Sequence, residues 1–142
     1  MSLTRAEIIA LQDNAECLHE AGAVHQALDQ MAAAITETLG ETLPVVLCVL
    51  NGGIIPTGQL LTRLEFPLET GYLHATRYRG KTRGADMHWL CEPSIELQDR
   101  TVLIVDDILD EGLTLADIID FCESTGATQV YSAVLVQKQH QR

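Results

Sequence analysis

The sequence has few basic residues, no long apolar run and no clustered cysteines, and each absence argues against a class of protein. Nine Lys and Arg residues stand against 20 Asp and Glu, which gives a net charge of −11. Nucleic-acid binding requires Lys and Arg to neutralise phosphates, so we expect no nucleic-acid partner. No run of about 18 apolar residues and no signal peptide occurs, so we expect no membrane association and, by default, a cytoplasmic location.

The four cysteines are widely spaced, with no C-x-x-C pair and no cluster with histidine. This pattern indicates neither a zinc site nor a redox pair. Cys48 and Cys122 lie in apolar segments and are predicted to be buried thiols. The chain also has no repeat, low-complexity segment or linker. With 46% hydrophobic and 20% charged residues, the sequence predicts one globular domain over residues 1–142.

Charge of each sign is concentrated in one short segment. The basic cluster consists of Arg77, Arg79, Lys81 and Arg83, and the acidic cluster of Asp106, Asp107, Asp110 and Glu111. A basic run of this kind is often only a solvated hairpin tip. In a protein that is acidic overall, one small basic segment also suits a small anionic ligand better than a polyanion bound across a face.

Apolar periodicity predicts the helices and strands. Helical spacing occurs over residues 4–19 and 23–39, and Thr4 with Glu7 forms a possible capping box. The apolar run 45–50 predicts a strand covered on both faces, as parallel strands are. The turn Asn51-Gly52-Gly53 and a helix over residues 54–64 follow it.

The middle of the chain predicts a hairpin. Strands are expected at 69–76 and 87–91, and the polar residues 77–87 between them are expected to form a flexible lid loop. A strand from 102, a helix over 113–124 and a strand over 129–136 complete the order α-α-β-α-β-β-β-α-β. This order indicates an α/β fold, with a mainly parallel twisted sheet flanked by helices and extended by a long hairpin.

Residues 102–115, VLIVDDILDEGLTL, are the most informative stretch. Four apolar residues predict a buried strand that emerges into carboxylates, a glycine and a helix. The turn offers backbone N–H groups and a helix N-terminus to a phosphate, while the acids can face hydroxyls or a divalent cation. Helix-dipole stabilisation explains one or two acids at this place, but not four. We therefore expect a phosphorylated sugar at the carboxyl edge of the sheet.

This stretch resembles the phosphoribosyl pyrophosphate signature of the type I phosphoribosyltransferases, and its context is similar to the hypoxanthine-guanine phosphoribosyltransferases. The resemblance also takes in LCVLNGG at 47–53, the Arg77-Tyr78 loop and SAVLVQK at 132–138. It implies a purine salvage enzyme that transfers 5-phosphoribose from phosphoribosyl pyrophosphate to N9 of hypoxanthine or guanine, giving IMP or GMP and pyrophosphate. It further implies Mg²⁺ as cofactor and a homodimer or homotetramer.

The resemblance implies a role for each acid of the signature. Asp106 and Asp107 would hold the ribose hydroxyls and help to place Mg²⁺. Asp110 would be the general base or hydrogen-bond partner at N7 of the purine. The 5-phosphate would be cradled by the four residues that follow, Glu111, Gly112, Leu113 and Thr114. Glu111 stands where the family usually has Thr or Ser, and a carboxylate beside a phosphate should repel it.

The remaining site residues are also implied by the resemblance. Asn51, Gly52 and Gly53 would contact pyrophosphate, with a cis peptide between Leu50 and Asn51, although the family often has Lys at the Asn51 position. Arg77 and Tyr78 would belong to the lid over the reacting centre. Lys138 would donate to the 6-oxo group of the purine. Each role has an alternative. Residues 51–53 could form an ordinary strand-to-helix turn, Arg77 and Tyr78 could belong to a solvated loop tip, and Lys138 could be a solvated charge at the end of a strand.

The sequence ends shortly after Lys138, whereas the resembling enzymes continue into residues that complete the purine pocket. We therefore expect that the C-terminal part is missing. A second hypothesis is a non-catalytic regulatory or nucleotide-binding protein that keeps the phosphoribosyltransferase fold. The substitutions at Glu111 and Asn51 leave this alternative open, while Asp110 and Lys138 favour the enzyme.

Overall fold

The computed structural model describes residues 2–77 and 87–139, and its helices and strands follow the predicted order. The elements are α1 (Arg5–Asn14), α2 (Ala21–Leu39), β1 (Val45–Val49), α3 (Ile54–Leu61), β2 (Glu69–Arg77), β3 (Met87–Cys91), β4 (Thr101–Leu109), α4 (Leu113–Ser124) and β5 (Gln129–Gln137).

The strands form one sheet in the spatial order β3-β2-β1-β4-β5. The pairs β1–β2, β1–β4 and β4–β5 are parallel, and only the β2–β3 pair is antiparallel. The predicted α/β class with a mainly parallel sheet is therefore confirmed, as are the two strands of the hairpin. The lid expected at 77–87 falls largely on residues 78–86, which lie outside the described part of the chain.

The core lies on both faces of the central strands. Every residue of β1 is buried, which confirms the prediction of a strand covered on both sides. One face packs against Ile118 and Cys122 of α4, and the other against Leu28 of α2 and Leu60 of α3. Each fully buried Leu or Ile contributes about 1.5–3 kcal/mol relative to exposure. Cys48 and Cys122 are buried as predicted, and burial raises the pKa of the Cys122 thiol to about 11.

Helix α1 is shorter than the periodicity predicted and contributes nothing to the core. Thr4 and Glu7 form the predicted capping box at its start. The helix ends at Asn14 because Ala15 already has extended backbone angles, φ −75° and ψ 141°, and no residue of the helix is buried. The apolar spacing of 4–19 was therefore only partly helical. Within the described residues, no helix is both long enough and apolar enough to cross a membrane.

Strand β4 is longer than its apolar run. It continues through Asp106 and Asp107 to Leu109 because β5 pairs alongside it in parallel, up to the register pair Leu109↔Gln137. The sequence predicts four apolar strand residues that emerge into the acids, and in the structure the first two acids still belong to the strand. Both aspartates are strand residues at the carboxyl end of the sheet, which gives them a firmer backbone than a turn would.

Candidate functional site

Three groups of predicted site residues, at 51–53, 106–114 and 138, lie at the carboxyl ends of β1, β4 and β5. Strand β1 pairs with β4 through Cys48↔Val105, so the turn after β1 lies beside the acids that follow Val105. On the other side, β5 ends next to the end of β4, where the Lys138 N–H donates to the Leu109 carbonyl at 2.9 Å. Parallel strands thus bring three segments that are distant in sequence to one edge of the sheet, where open α/β folds bind ligands.

The glycine turn after β1 lies directly against β4. A Cβ on Gly52 would lie 2.6 Å from a carboxylate oxygen of Asp107, and one on Gly53 would lie 2.7 Å from the Val105 carbonyl. A side chain at Gly53 would meet backbone atoms, and one at Gly52 would displace the Asp107 carboxylate, so glycine lets the turn backbone lie directly against the end of β4. The peptide between Leu50 and Asn51 is cis, as the family resemblance implied.

Asp106 and Asp107 are adjacent, partly buried acids at the end of β4. A side-chain oxygen of Asp106 accepts a hydrogen bond from the Asp107 N–H at 2.8 Å. Burial raises the pKa of Asp106 to about 6, and the neighbouring Asp107 carboxylate adds to the rise. The site therefore contains an acid whose ionised form is disfavoured until a positively charged or hydrogen-bonding partner arrives.

Asp110 and Lys138 form an ion pair across the ends of β4 and β5. The Lys138 Nζ lies 3.5 Å from a carboxylate oxygen of Asp110, and the two side chains are 55% and 51% exposed. Both groups are thus open to a ligand that approaches the edge of the sheet. The structure brings together the residue expected to accept a proton and the residue expected to recognise the purine.

The turn from β4 into α4 is shaped for an anion. Gly112 is the N-cap of α4 and has φ +85°, a left-handed conformation that glycine adopts without strain. Gly112 has no side chain that could cap the helix, so the cap position itself places no side-chain oxygen on the first N–H groups of α4. Leu113 and Thr114 lie in that first turn, and the Glu111 side chain is exposed to solvent.

Arg77, expected in the lid, is the last residue of β2 and contacts α4. Its guanidinium donates to the Asp117 carboxylate and, at 3.2 Å, to the Leu113 carbonyl. Sequence reasoning missed Asp117, because no local pattern relates a helical acid to a strand residue far upstream. Tyr78 and the other basic residues of the segment, Arg79, Lys81 and Arg83, lie outside the described residues.

The family model of the phosphoribosyl transferase domain matches residues 14–142, which is nearly the whole chain. The chain belongs to this phosphoribosyl transferase domain family. The match contains both glycine turns, the acidic strand end and Lys138, so the segments that converge in the structure are those on which the resemblance rested.

Relatives of this phosphoribosyl transferase domain include two whose names specify purines. The hypoxanthine-guanine-xanthine phosphoribosyltransferase of Tritrichomonas foetus is 28% identical over 110 residues, which cover 78% of this chain and 60% of the relative. The hypoxanthine-guanine phosphoribosyltransferase of Staphylococcus epidermidis is 26% identical over 114 residues, covering 80% and 64%. The chain therefore spans less than two thirds of the length of these relatives.

The fold agrees with that of a solved structure. A crystal structure of a hypoxanthine phosphoribosyltransferase from Staphylococcus aureus superposes with a TM-score of 0.85 at 20% identity, and the match covers 94% of this chain and 73% of that one. At this level of identity the likeness supports the fold alone. The predicted type I phosphoribosyltransferase fold is confirmed.

Proposed function

We propose that this chain carries the transfer site of a purine salvage enzyme, which moves 5-phosphoribose from phosphoribosyl pyrophosphate to N9 of hypoxanthine or guanine. The bond between C1′ of the ribose and N9 forms, the bond between C1′ and the pyrophosphate oxygen breaks, and IMP or GMP leaves with pyrophosphate. The observation that carries the proposal is the Asp110–Lys138 pair, with 3.5 Å between its charged groups.

The chemistry of a 6-oxopurine fits this pair. N7 and the 6-oxo oxygen lie on the same edge of the base, where a protein can read both together. Asp110 accepts the proton that the purine loses at N7 as N9 attacks the sugar, as a general base does. Lys138 donates to the 6-oxo oxygen, a contact that adenine, with an amino group at this position, cannot match.

The sugar and its phosphate fit the neighbouring segments. Asp106 and Asp107 accept hydrogen bonds from the ribose hydroxyls. Backbone N–H groups of residues 111–114 bind the 5-phosphate at the start of α4, where the helix dipole favours an anion. The exposed position of the Glu111 side chain supports a cradle in which only its N–H contributes. Residues 51–53 offer backbone to the pyrophosphate.

Mg²⁺ fits the acids at the end of β4. The described residues contain no cluster of three or more His, Cys, Asp and Glu that could enclose a metal ion. Mg²⁺ at phosphate-transfer sites is typically held by one or two carboxylates, with substrate oxygens and water completing the shell. Asp106 and Asp107 would supply those carboxylates. When bound, the ion would neutralise charge on the pyrophosphate as it leaves.

The experiment that tests this function is a product assay. The protein is incubated with Mg²⁺, phosphoribosyl pyrophosphate and, separately, hypoxanthine, guanine, xanthine or adenine, and nucleotide formation is followed. We expect nucleotide from hypoxanthine or guanine and far less from adenine. Ligand binding without product from any base would instead support a non-catalytic nucleotide-binding protein. A cytoplasmic location and a homodimeric or homotetrameric assembly stay predictions.

A further inference from the structure

Strand β2 carries an ion pair at each of its ends. At the amino end, Glu69 pairs with Arg100 at 2.7 Å, far from the candidate site. At the carboxyl end, Arg77 pairs with Asp117 and also donates to the Leu113 carbonyl at 3.2 Å. The second pair therefore joins β2 to the helix whose first turn faces the expected phosphate.

Leu113 and Asp117 are four residues apart on α4 and so lie on the same face of the helix. Leu113 is the first residue of the helix, directly after the left-handed Gly112. The Arg77 and Asp117 side chains are only 25% and 39% exposed. A charge-assisted hydrogen bond in such a place is stronger than a neutral one. Arg77 thus holds the helix at its first backbone carbonyl and at a side chain one turn later.

Contacts from other elements are needed to fix the backbone of the turn before α4. Glycine is the residue type that permits most backbone rotation, and Gly112 supplies no side-chain cap to the helix. The Gly112 carbonyl accepts a backbone hydrogen bond from the Ala116 N–H at 3.0 Å. A clamp from β2 therefore limits the freedom of the segment whose N–H groups would meet the phosphate.

We infer that Arg77 and Asp117 are positioning residues for the phosphate cradle, holding the N–H groups of residues 111–114 in the orientation that binds a sugar 5-phosphate. The inference rests on the proposed function for the identity of that ligand. It gives Arg77 a role different from the lid membership that the resemblance implied. It also explains why an acid can lie near the phosphate-binding end of the helix. The Arg77 guanidinium neutralises the charge of Asp117, which would otherwise repel the phosphate.

The test measures the affinity of the full chain for ribose 5-phosphate, which lacks pyrophosphate and undergoes no transfer. Titration calorimetry compares the parent with Arg77→Gln, Asp117→Asn and the double variant. Each single variant should weaken binding about tenfold, and the double variant should bind no more weakly than either single one, because the two residues act as one unit. Asp117→Glu should retain most of the affinity.

Two further variants separate positioning from general stability. Glu69→Gln removes the ion pair at the other end of β2 and should leave ribose 5-phosphate affinity unchanged, whatever it does to the melting temperature. Arg77→Lys keeps the charge but lacks the planar fork that reaches two acceptors, so it should weaken binding. It also serves as the test if Arg77→Gln does not fold.

Three results would overturn the inference. The first is that Asp117→Asn binds ribose 5-phosphate as tightly as the parent or more tightly, while Arg77→Gln weakens only the binding of inorganic pyrophosphate. That result would mean that Arg77 contacts pyrophosphate directly. The second is a lower melting temperature without any loss of affinity. The third is a parent chain that does not bind ribose 5-phosphate. If substitutions of Arg77 and Asp117 weaken ribose 5-phosphate binding as expected but the parent forms no nucleotide, the proposed function fails and this inference stands.

Discussion

Lys138 and Asp110 lie at the ends of neighbouring parallel strands, with the Lys138 Nζ 3.5 Å from a carboxylate oxygen of Asp110. The backbone supports this meeting, because the N–H of Lys138 donates to the carbonyl of Leu109, the residue before Asp110. One group can accept a proton and the other can donate to a carbonyl oxygen. The following predictions test whether they do so on one purine.

Replacing Asp110 should separate catalysis from binding. We expect Asp110→Asn to lower kcat by about 100-fold or more, because an amide cannot accept the proton that the purine loses. Its affinity for phosphoribosyl pyrophosphate should stay nearly unchanged, since the amide is the same size. Steady-state kinetics and a direct binding titration measure the two effects. Equal activity in variant and parent would place the general base elsewhere.

Replacing Lys138 should change the choice of base. We expect Lys138→Met to lower kcat/KM for hypoxanthine by about 100-fold, because the 6-oxo oxygen loses its donor while the apolar length of the side chain is kept. Activity with adenine should not fall further. The two kcat/KM values measured side by side give the discrimination. An unchanged ratio would show that Lys138 does not read the 6-position.

Gly52 should not tolerate a side chain. Gly52→Ala would place a Cβ 2.6 Å from the Asp107 carboxylate, so the turn or the acid must shift. A displacement of this kind in a positioned site can cost about 100-fold in activity. Enzyme assays check this loss, and a thermal melt shows whether the variant is folded.

Gly58→Ala is the matched control for that substitution. Gly58 lies within α3, and nothing lies within 4 Å of a Cβ built there. Alanine should therefore leave activity unchanged and stabilise the helix by about 0.5–1 kcal/mol. If both variants lost activity to a similar degree, the close contact at Gly52 would not explain the loss.

Asp106 should lower the stability of the ligand-free protein at neutral pH. Its folded-state pKa of about 6 lies above the ordinary 3.8, so folding favours the protonated acid. This contribution to stability is fully present below pH 3.8 and is lost as the pH rises through 6. Asp106→Asn should thus be more stable than the parent at pH 7.5 by roughly 1–3 kcal/mol, although it loses a site residue.

Denaturant unfolding in EDTA across this pH range tests the effect of Asp106. The difference between variant and parent should shrink towards pH 4, where the parent acid becomes protonated. A difference that is independent of pH would mean that packing, rather than the buried charge, accounts for it. EDTA is required because a bound divalent cation would stabilise the ionised acid.

The periodicity and turn chemistry of the sequence were sufficient for the order of elements and for the edge of the sheet where the site lies. The strand at Val45–Val49 and the helix at Leu113–Ser124 agree with their predicted ranges to within a residue, because apolar runs and glycine turns are local signals. The capping box at Thr4 is a local signal of the same kind.

The parts that sequence reasoning missed depend on partners far along the chain. β4 extends through Asp106 and Asp107 because β5 lies beside it, and pairing of this kind has no signature within the strand itself. The contact of Arg77 with Asp117 joins β2 to α4, so the basic residue expected at a loop tip turned out to hold a helix. Local patterns predict the elements on which candidate residues lie better than they predict what those residues contact.

The stoichiometry of the transfer tests the proposed function most directly. The protein is given hypoxanthine, phosphoribosyl pyrophosphate and Mg²⁺, and IMP and pyrophosphate are quantified together by chromatography. We expect equal amounts of the two products, and about 100-fold less of both when Asp110→Asn is assayed over the same time. Pyrophosphate release without IMP, or binding of phosphoribosyl pyrophosphate without either product, would contradict it.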